Sequence, residues 1–224
     1  MRLFANTATL LGKELKTEFR SRELLITTMF FIVTVMALFS ITFDASVSES
    51  KNVGPGLLWL AILFASSLML QPCFLKERTN DTLGALRLSV GDPFAIFLAK
   101  LVANVCLLLL TELLSLPIFA VFFNIRVMHV FPQLLLVFLL GSIGIAVTGT
   151  ALSAISSQAR MRELLLPLLL LPLLVPILIA STEATMALLN ENPALRWVAI
   201  GILVGFDVVF LTALWLFGEY LLEE

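Results

Sequence analysis

Six stretches of roughly 20 residues carry no charge or a single one, and nothing else in this chain limits its fold so tightly. A backbone inside hydrocarbon has to pair its own N–H and C=O groups, so a short apolar run that crosses a bilayer has to do so as a helix. At about 1.5 Å of rise per residue, about 20 residues cover the hydrocarbon core. The runs predict spans over about 24–43, 54–74, 101–123, 134–156, 164–182 and 197–218. Glu112 interrupts the third and Asp207 sits in the middle of the sixth. Because 127–159 is wholly uncharged and too long for one crossing, the fourth helix is placed at 134–156 with an interfacial lead-in through His129 and Pro132. The expected fold is an all-α integral membrane protein, one domain over 1–224, with six transmembrane helices and an amphipathic interfacial helix at its N-terminus.

Composition agrees: 60% of residues are hydrophobic and 13% charged, against about 25% charged in ordinary soluble domains. A net charge of −2 leaves no basic surface to neutralise phosphates, which argues against nucleic acid as a partner. Cys73 and Cys106, the only cysteines, both lie in apolar surroundings and support neither a disulfide framework nor a cysteine metal site. The first span follows a charged lead of 23 residues and reads as an anchor, not as a cleaved signal peptide.

Basic residues are retained on the cytoplasmic side of a membrane, so alternate connections give the orientation. Arg2, Lys13, Lys16, Arg20, Arg22, Lys76, Arg78, Arg87, Lys100, Arg160 and Arg162 fall on one side, and only Lys51, Arg126 and Arg196 on the other. Eleven against three predicts that both termini are cytoplasmic.

Before the first span, Phe4, Ala8, Leu11, Leu15 and Phe19 recur at steps of three or four, opposite Asn6, Lys13, Lys16 and Arg20. That pattern predicts a helix over 1–23 lying in the lipid interface, whether as a plain anchor or as an elbow that also touches a cytoplasmic partner. The segment 75–100 is the longest cytoplasmic connection. Within it Lys76, Glu77 and Arg78 precede a short apolar stripe of Leu83 and Leu86, with Asp81 able to cap the helix and Gly91, Asp92 and Pro93 turning the chain back. A helix of two turns is marginal by itself in water, so it either docks on another protein or serves as a solvated connector.

The chain is poor in reactive groups. His129 is its one histidine, so paired histidine ligands for a haem iron, or a zinc triad, cannot come from this chain alone. Gly12 and Lys13 are followed by Glu14 and not by Ser or Thr, so there is no phosphate-binding loop and ATP falls to another chain. Glu112 and Asp207 are costly in lipid, at about 2.5 to 3.5 kcal/mol on insertion scales. They serve either to carry protons or to fix packing by hydrogen bonds to serines and threonines on adjacent helices. Pro167, Pro172 and Pro176 each remove a donor from the fifth span, which predicts a kink or local unwinding and a hinge. Gly141, Gly144 and Gly149 in the fourth permit close approach of neighbours.

Four stretches in this order carry a family resemblance: GLLWLAILFASSLML at 56–70, KERTNDTLGALRLS from Lys76, LLGSIGIAVTGTALSA ending at Ala154, and the triple-proline LLLPLLLLPLLVPILIA from Leu164. Together they resemble the CcmB family of cytochrome c maturation, over essentially the whole chain, with departures from its usual pattern at Gln71, Pro72, Cys73, Asp81 and Val90. The resemblance implies a six-helix permease of the ABC-2 exporter type in a bacterial inner membrane, without catalytic activity or a cofactor of its own. It implies an ATPase partner, CcmA, that binds ATP, together with CcmC, CcmD and, functionally, the haem chaperone CcmE. By analogy Lys76, Glu77, Arg78, Leu83 and Leu86 belong to a coupling helix seated on the ATPase. The subunit then transmits ATP-driven motion or helps to export haem. A proton-coupled secondary transporter using Glu112 and Asp207 is the alternative, although the two halves of the chain show no matching interruptions. An intramembrane enzyme is the weakest reading, because it requires a nucleophile and a base and the lone histidine, His129, lies near a membrane edge.

Overall fold

A computed structural model describes residues 2–43, 47–74, 93–156 and 162–217. These form α1 (Arg2–Ser21), α2 (Glu23–Thr42), α3 (Val47–Leu70), α4 (Pro93–Phe122), a 3-10 turn (Met128–Val130), α5 (Phe131–Ser156), α6 (Arg162–Leu189) and α7 (Pro193–Phe217). Among the described residues, six helices are long and apolar enough to cross a membrane, which makes this an all-α, multi-pass membrane protein.

The helix ends follow from local chemistry. One left-handed residue, Arg22 at φ 53°, separates α1 from α2 and turns the chain from the N-terminal helix into the first span. Asn124 and Glu191 are also left-handed, and each closes a helix. The Ile125 amide reaches back to the Ala120 carbonyl (3.1 Å), and Asn192 to Ala187 (2.8 Å), the six-to-one bond that satisfies a C-terminal carbonyl after a left-handed residue. Asn192 then caps α7, its side-chain oxygen accepting the Leu195 amide at 3.3 Å, and Pro193 stands at the first helical position where its missing N–H costs nothing.

Three helices extend beyond the runs read from charge by about two turns. α3 begins at Val47, not near Gly54, and takes Glu49 and Lys51 into its first turns. α4 begins at Pro93, not Leu101, and so encloses Lys100. α6 continues past Thr182 to Leu189. A charge near a helix end reaches the interface on its long stem or, as at Lys100, is answered inside the protein, so an uncharged run is shorter than the helix that contains it. α6 is one continuous helix through Pro167, Pro172 and Pro176, so of the kink or local unwinding expected at the prolines no unwinding occurs.

α5 is the centre of the bundle, packing against α3, α4, α6 and α7. Its residues from Gly141 to Ser156 are buried nearly throughout. Trp59 of α3 fixes the closest approach: it is fully buried, its Nε1 donates to Thr185 Oγ1 of α6 at 3.0 Å, and its ring meets Phe138 edge-on at 5.8 Å. A Cβ at Gly141 would lie 2.4 Å from the Trp59 ring, so the indole occupies the space that only a glycine leaves. α2 is held far more lightly, buried only at Thr28, Ile32 and Met36, a single stripe at four-residue steps. At its far end Ser40 Oγ donates to the Phe122 carbonyl at 2.8 Å, tying the ends of α2 and α4.

Gly141→Leu should therefore lower the stability of the solubilised protein by about 1 to 3 kcal/mol, the usual cost of overpacking. Adding Trp59→Ala should recover part of it. Thermal denaturation in detergent checks both, and a wild-type melting curve for Gly141→Leu would mean that the two helices are not in contact there.

Candidate functional site

The two intramembrane acids reach α5 from different sides. Glu112, on α4, is fully buried and its Oε2 accepts the Ser142 hydroxyl at 2.7 Å, while Oε1 has no hydrogen-bond partner among the described residues. Asp207, on α7, is also buried, and neither of its oxygens has a partner among them. Its carboxylate rests against Gly144, where an added Cβ would stand 2.9 Å from Oδ1. Ser142 and Gly144 are two residues apart and so about 200° around the helix. The acids do not share a face, and they differ in kind: Glu112 has one serine donor, whereas Asp207 has none. A buried carboxylate without a donor is the costlier state and the stronger sign of a functional group.

Lys100 forms the most connected polar node. The approach to it is a run of apolar residues, Phe94 to Ala99, which carries α4 two turns before the lysine. Lys100 is 3% exposed, and its Nζ donates to the Cys73 carbonyl at 2.6 Å, lies 3.4 Å from Glu14 Oε1 of α1, and stands 5.2 Å from the Phe74 ring centre. One turn further on, Asn104 Nδ2 donates to Thr150 Oγ1 of α5 at 2.9 Å and meets Cys73 Sγ at 3.3 Å. A cavity of about 30 Å³ beside them, lined in part by Glu14, Glu18, Lys100 and Asn104, has room for a water molecule. A buried ammonium is tolerable only when a charge and hydrogen bonds answer it, and here α1, the turn after α3, and Phe74 do so together. α1 thus presents Thr7 and Glu14 to the protein and leaves Ala8 and Phe19, members of its apolar stripe, exposed.

Sequence reasoning counted Lys100 among the loop charges and missed this node. The signal was present in the i, i+4 spacing of Lys100 and Asn104 directly after an apolar run. Lys76, Glu77, Arg78, Leu83 and Leu86 lie outside the described residues. Pro167, Pro172 and Pro176 all lie on α6, the first and third half-buried and Pro172 exposed. No group of three or more His, Cys, Asp or Glu side chains that could hold a metal occurs among the described residues.

Comparison with known proteins decides the family. The sequence model described as "CcmB protein" matches residues 5–217. The chain belongs to the CcmB family. Its curated relatives include Heme exporter protein B of Pseudomonas aeruginosa, 31% identical over 193 residues, which covers 85% of this chain and 86% of that protein. Heme exporter protein B of Haemophilus influenzae is 28% identical over 178 residues, 80% of each chain. The protein of the same name from Bradyrhizobium diazoefficiens is 24% identical over 159 residues, 71% of each. The match to the CcmB family thus takes in α4, which carries Lys100 and Glu112, and α7, which carries Asp207.

For this CcmB-family chain, Glu112→Gln should retain wild-type abundance, because the amide still accepts from Ser142. Glu112→Leu should reduce it, since Ser142 then loses a buried partner at a cost of about 1 to 3 kcal/mol. Immunoblotting of membranes and a melting curve separate the two. A well-expressed but inactive Gln variant would instead assign Glu112 to proton transfer.

Proposed function

We propose that this chain is the permease subunit of an ATP-driven complex that exports or delivers haem for c-type cytochrome assembly. The observation that carries the reading is the match to the CcmB family over residues 5–217 together with relatives named for haem export. The chain supplies six helices and no nucleotide site, since Gly12, Lys13 and Glu14 lack the residues of a phosphate loop. ATP is bound by a partner ATPase, CcmA in this family, and the remaining partners are CcmC, CcmD and the haem chaperone CcmE. The subunit itself catalyses no covalent step.

The mechanism proposed is mechanical. Residues 75–92 form the cytoplasmic connection, with Leu83 and Leu86 seated on the ATPase and Lys76, Glu77 and Arg78 solvated beside them. This segment leads directly into α4 at Pro93, two turns before Lys100. Since Lys100 is joined to Glu14 of α1 and Asn104 to Thr150 of α5, a push on the start of α4 is delivered to the N-terminal helix and to the bundle centre together. The three prolines of α6, each lacking a backbone donor, form the compliant element on the other side of α5.

Replacing both Leu83 and Leu86 by Asp should abolish ATPase recruitment and cytochrome c maturation while the protein stays in the membrane. Burial of two leucines is worth roughly 3 to 6 kcal/mol, enough to decide a modest interface. Co-purification of the ATPase with the double variant at wild-type yield would reduce the segment to a connector. The same reading puts the chain in a bacterial inner membrane with both termini cytoplasmic. A reporter active only in the periplasm, fused after Glu224, should be silent, and an active fusion would overturn the orientation.

A further inference from the structure

The end of the bundle remote from Lys100 contains a feature that the mechanism above does not use. Between the end of α4 and the start of α5 lies an open groove of about 770 Å³, within the range of about 300 to 1,000 Å³ typical of small-molecule sites. Its walls are apolar, formed by Leu113, Leu116, Pro117 and Val121 of α4 and Phe131 of α5. Its lip carries Arg126 and His129, three residues apart, both exposed. Neither makes a hydrogen bond or ion pair among the described residues. An acyl chain would need only the walls. The groove adds to them one fixed cation and the one imidazole in the chain, at the same end.

We propose that this groove is a haem subsite, in which the porphyrin face lies on the α4 wall, Arg126 pairs with a propionate, and the His129 imidazole ligates the iron. The proposal rests on the haem-export reading and deepens it by giving the cargo a place on this subunit. The chemistry of the ligand fits the three parts of the groove: an apolar macrocycle, carboxylates at one edge, and an iron with axial positions that take a neutral imidazole. An arginine forms the planar, two-pronged pair with a carboxylate that a lysine does not. With a single histidine available, one axial position stays open, which suits a site that must pass its ligand on.

The experiment is a titration of the purified full-length chain in lipid nanodiscs with ferric haem, and in parallel with iron-free protoporphyrin IX, followed by the Soret band and by fluorescence. His129→Ala should lose the Soret shift of a histidine-ligated haem and weaken haem binding at least tenfold, with added imidazole restoring the spectrum, while leaving protoporphyrin binding unchanged. Arg126→Gln should weaken both ligands. Val121→Trp, which fills the exposed wall, should also weaken both. If His129→Ala binds haem with the wild-type spectrum and affinity, the imidazole is not a ligand and the proposal fails. If none of the three variants changes binding, haem is in the lipid or elsewhere on the protein, and the proposal fails equally. These outcomes are separate from failure of the export reading, which would appear as normal c-type cytochrome assembly in cells lacking the chain.

Discussion

The packing of one indole against one glycine organises the bundle. Without a hydrophobic drive between helices in lipid, close fit and hydrogen bonds have to hold them, and Trp59 provides both. Its ring fills the notch at Gly141 while its nitrogen is answered by Thr185, so three helices are fixed by one side chain. With α3, α5 and α6 held there, α4 and α7 also pack on α5, and the two intramembrane acids approach it from those two helices. Glu112 meets a serine on that helix and Asp207 a glycine, which is why one carboxylate has a donor and the other does not.

The six spans were legible because lipid penalises an unpaired backbone so heavily that an uncharged run of sufficient length has one interpretation. The ends were less so. Charge marks where a side chain can no longer stay in hydrocarbon, whereas a helix ends where its backbone finds a cap, and Lys51 and Lys100 show the gap between the two. Lys100 in particular is a charge that the protein, not water, satisfies. Its partner Glu14 lies in a segment that periodicity alone assigns to the lipid surface, so no local pattern connects them. At the prolines of α6 the helix stays continuous, with α3, α5 and α7 packed against it. Membership of the family was legible from four motifs standing in one order along the chain.

The polar features divide the molecule along its length. One end has Lys100, Glu14 and Asn104, where α1, the turn after α3, α4 and α5 meet. The middle has the two acids. The other end has Ser40 bound to Phe122, Asn52 bound to Asn190 at 2.9 Å, and the Arg126 and His129 lip. α4 runs past all three, and its 30 residues make it the longest of the described helices. The start of α4 and the groove beside its end are therefore joined by one continuous helix.

The pair between Glu14 and Lys100 also orders events during synthesis. The two residues are 86 positions apart, and at about 5 to 20 residues per second the lysine follows the glutamate out of the ribosome by roughly 4 to 17 seconds. Throughout that interval α1 lacks α4, its main neighbour in the bundle, while α2 and α3, which pack on each other, are already made. Docking of α1 then becomes possible only when α4 has been inserted in the correct direction. A chain with an inverted third span would leave Lys100 on the far side of the membrane from Glu14, so the ion pair requires α1 and the start of α4 to lie on the same side.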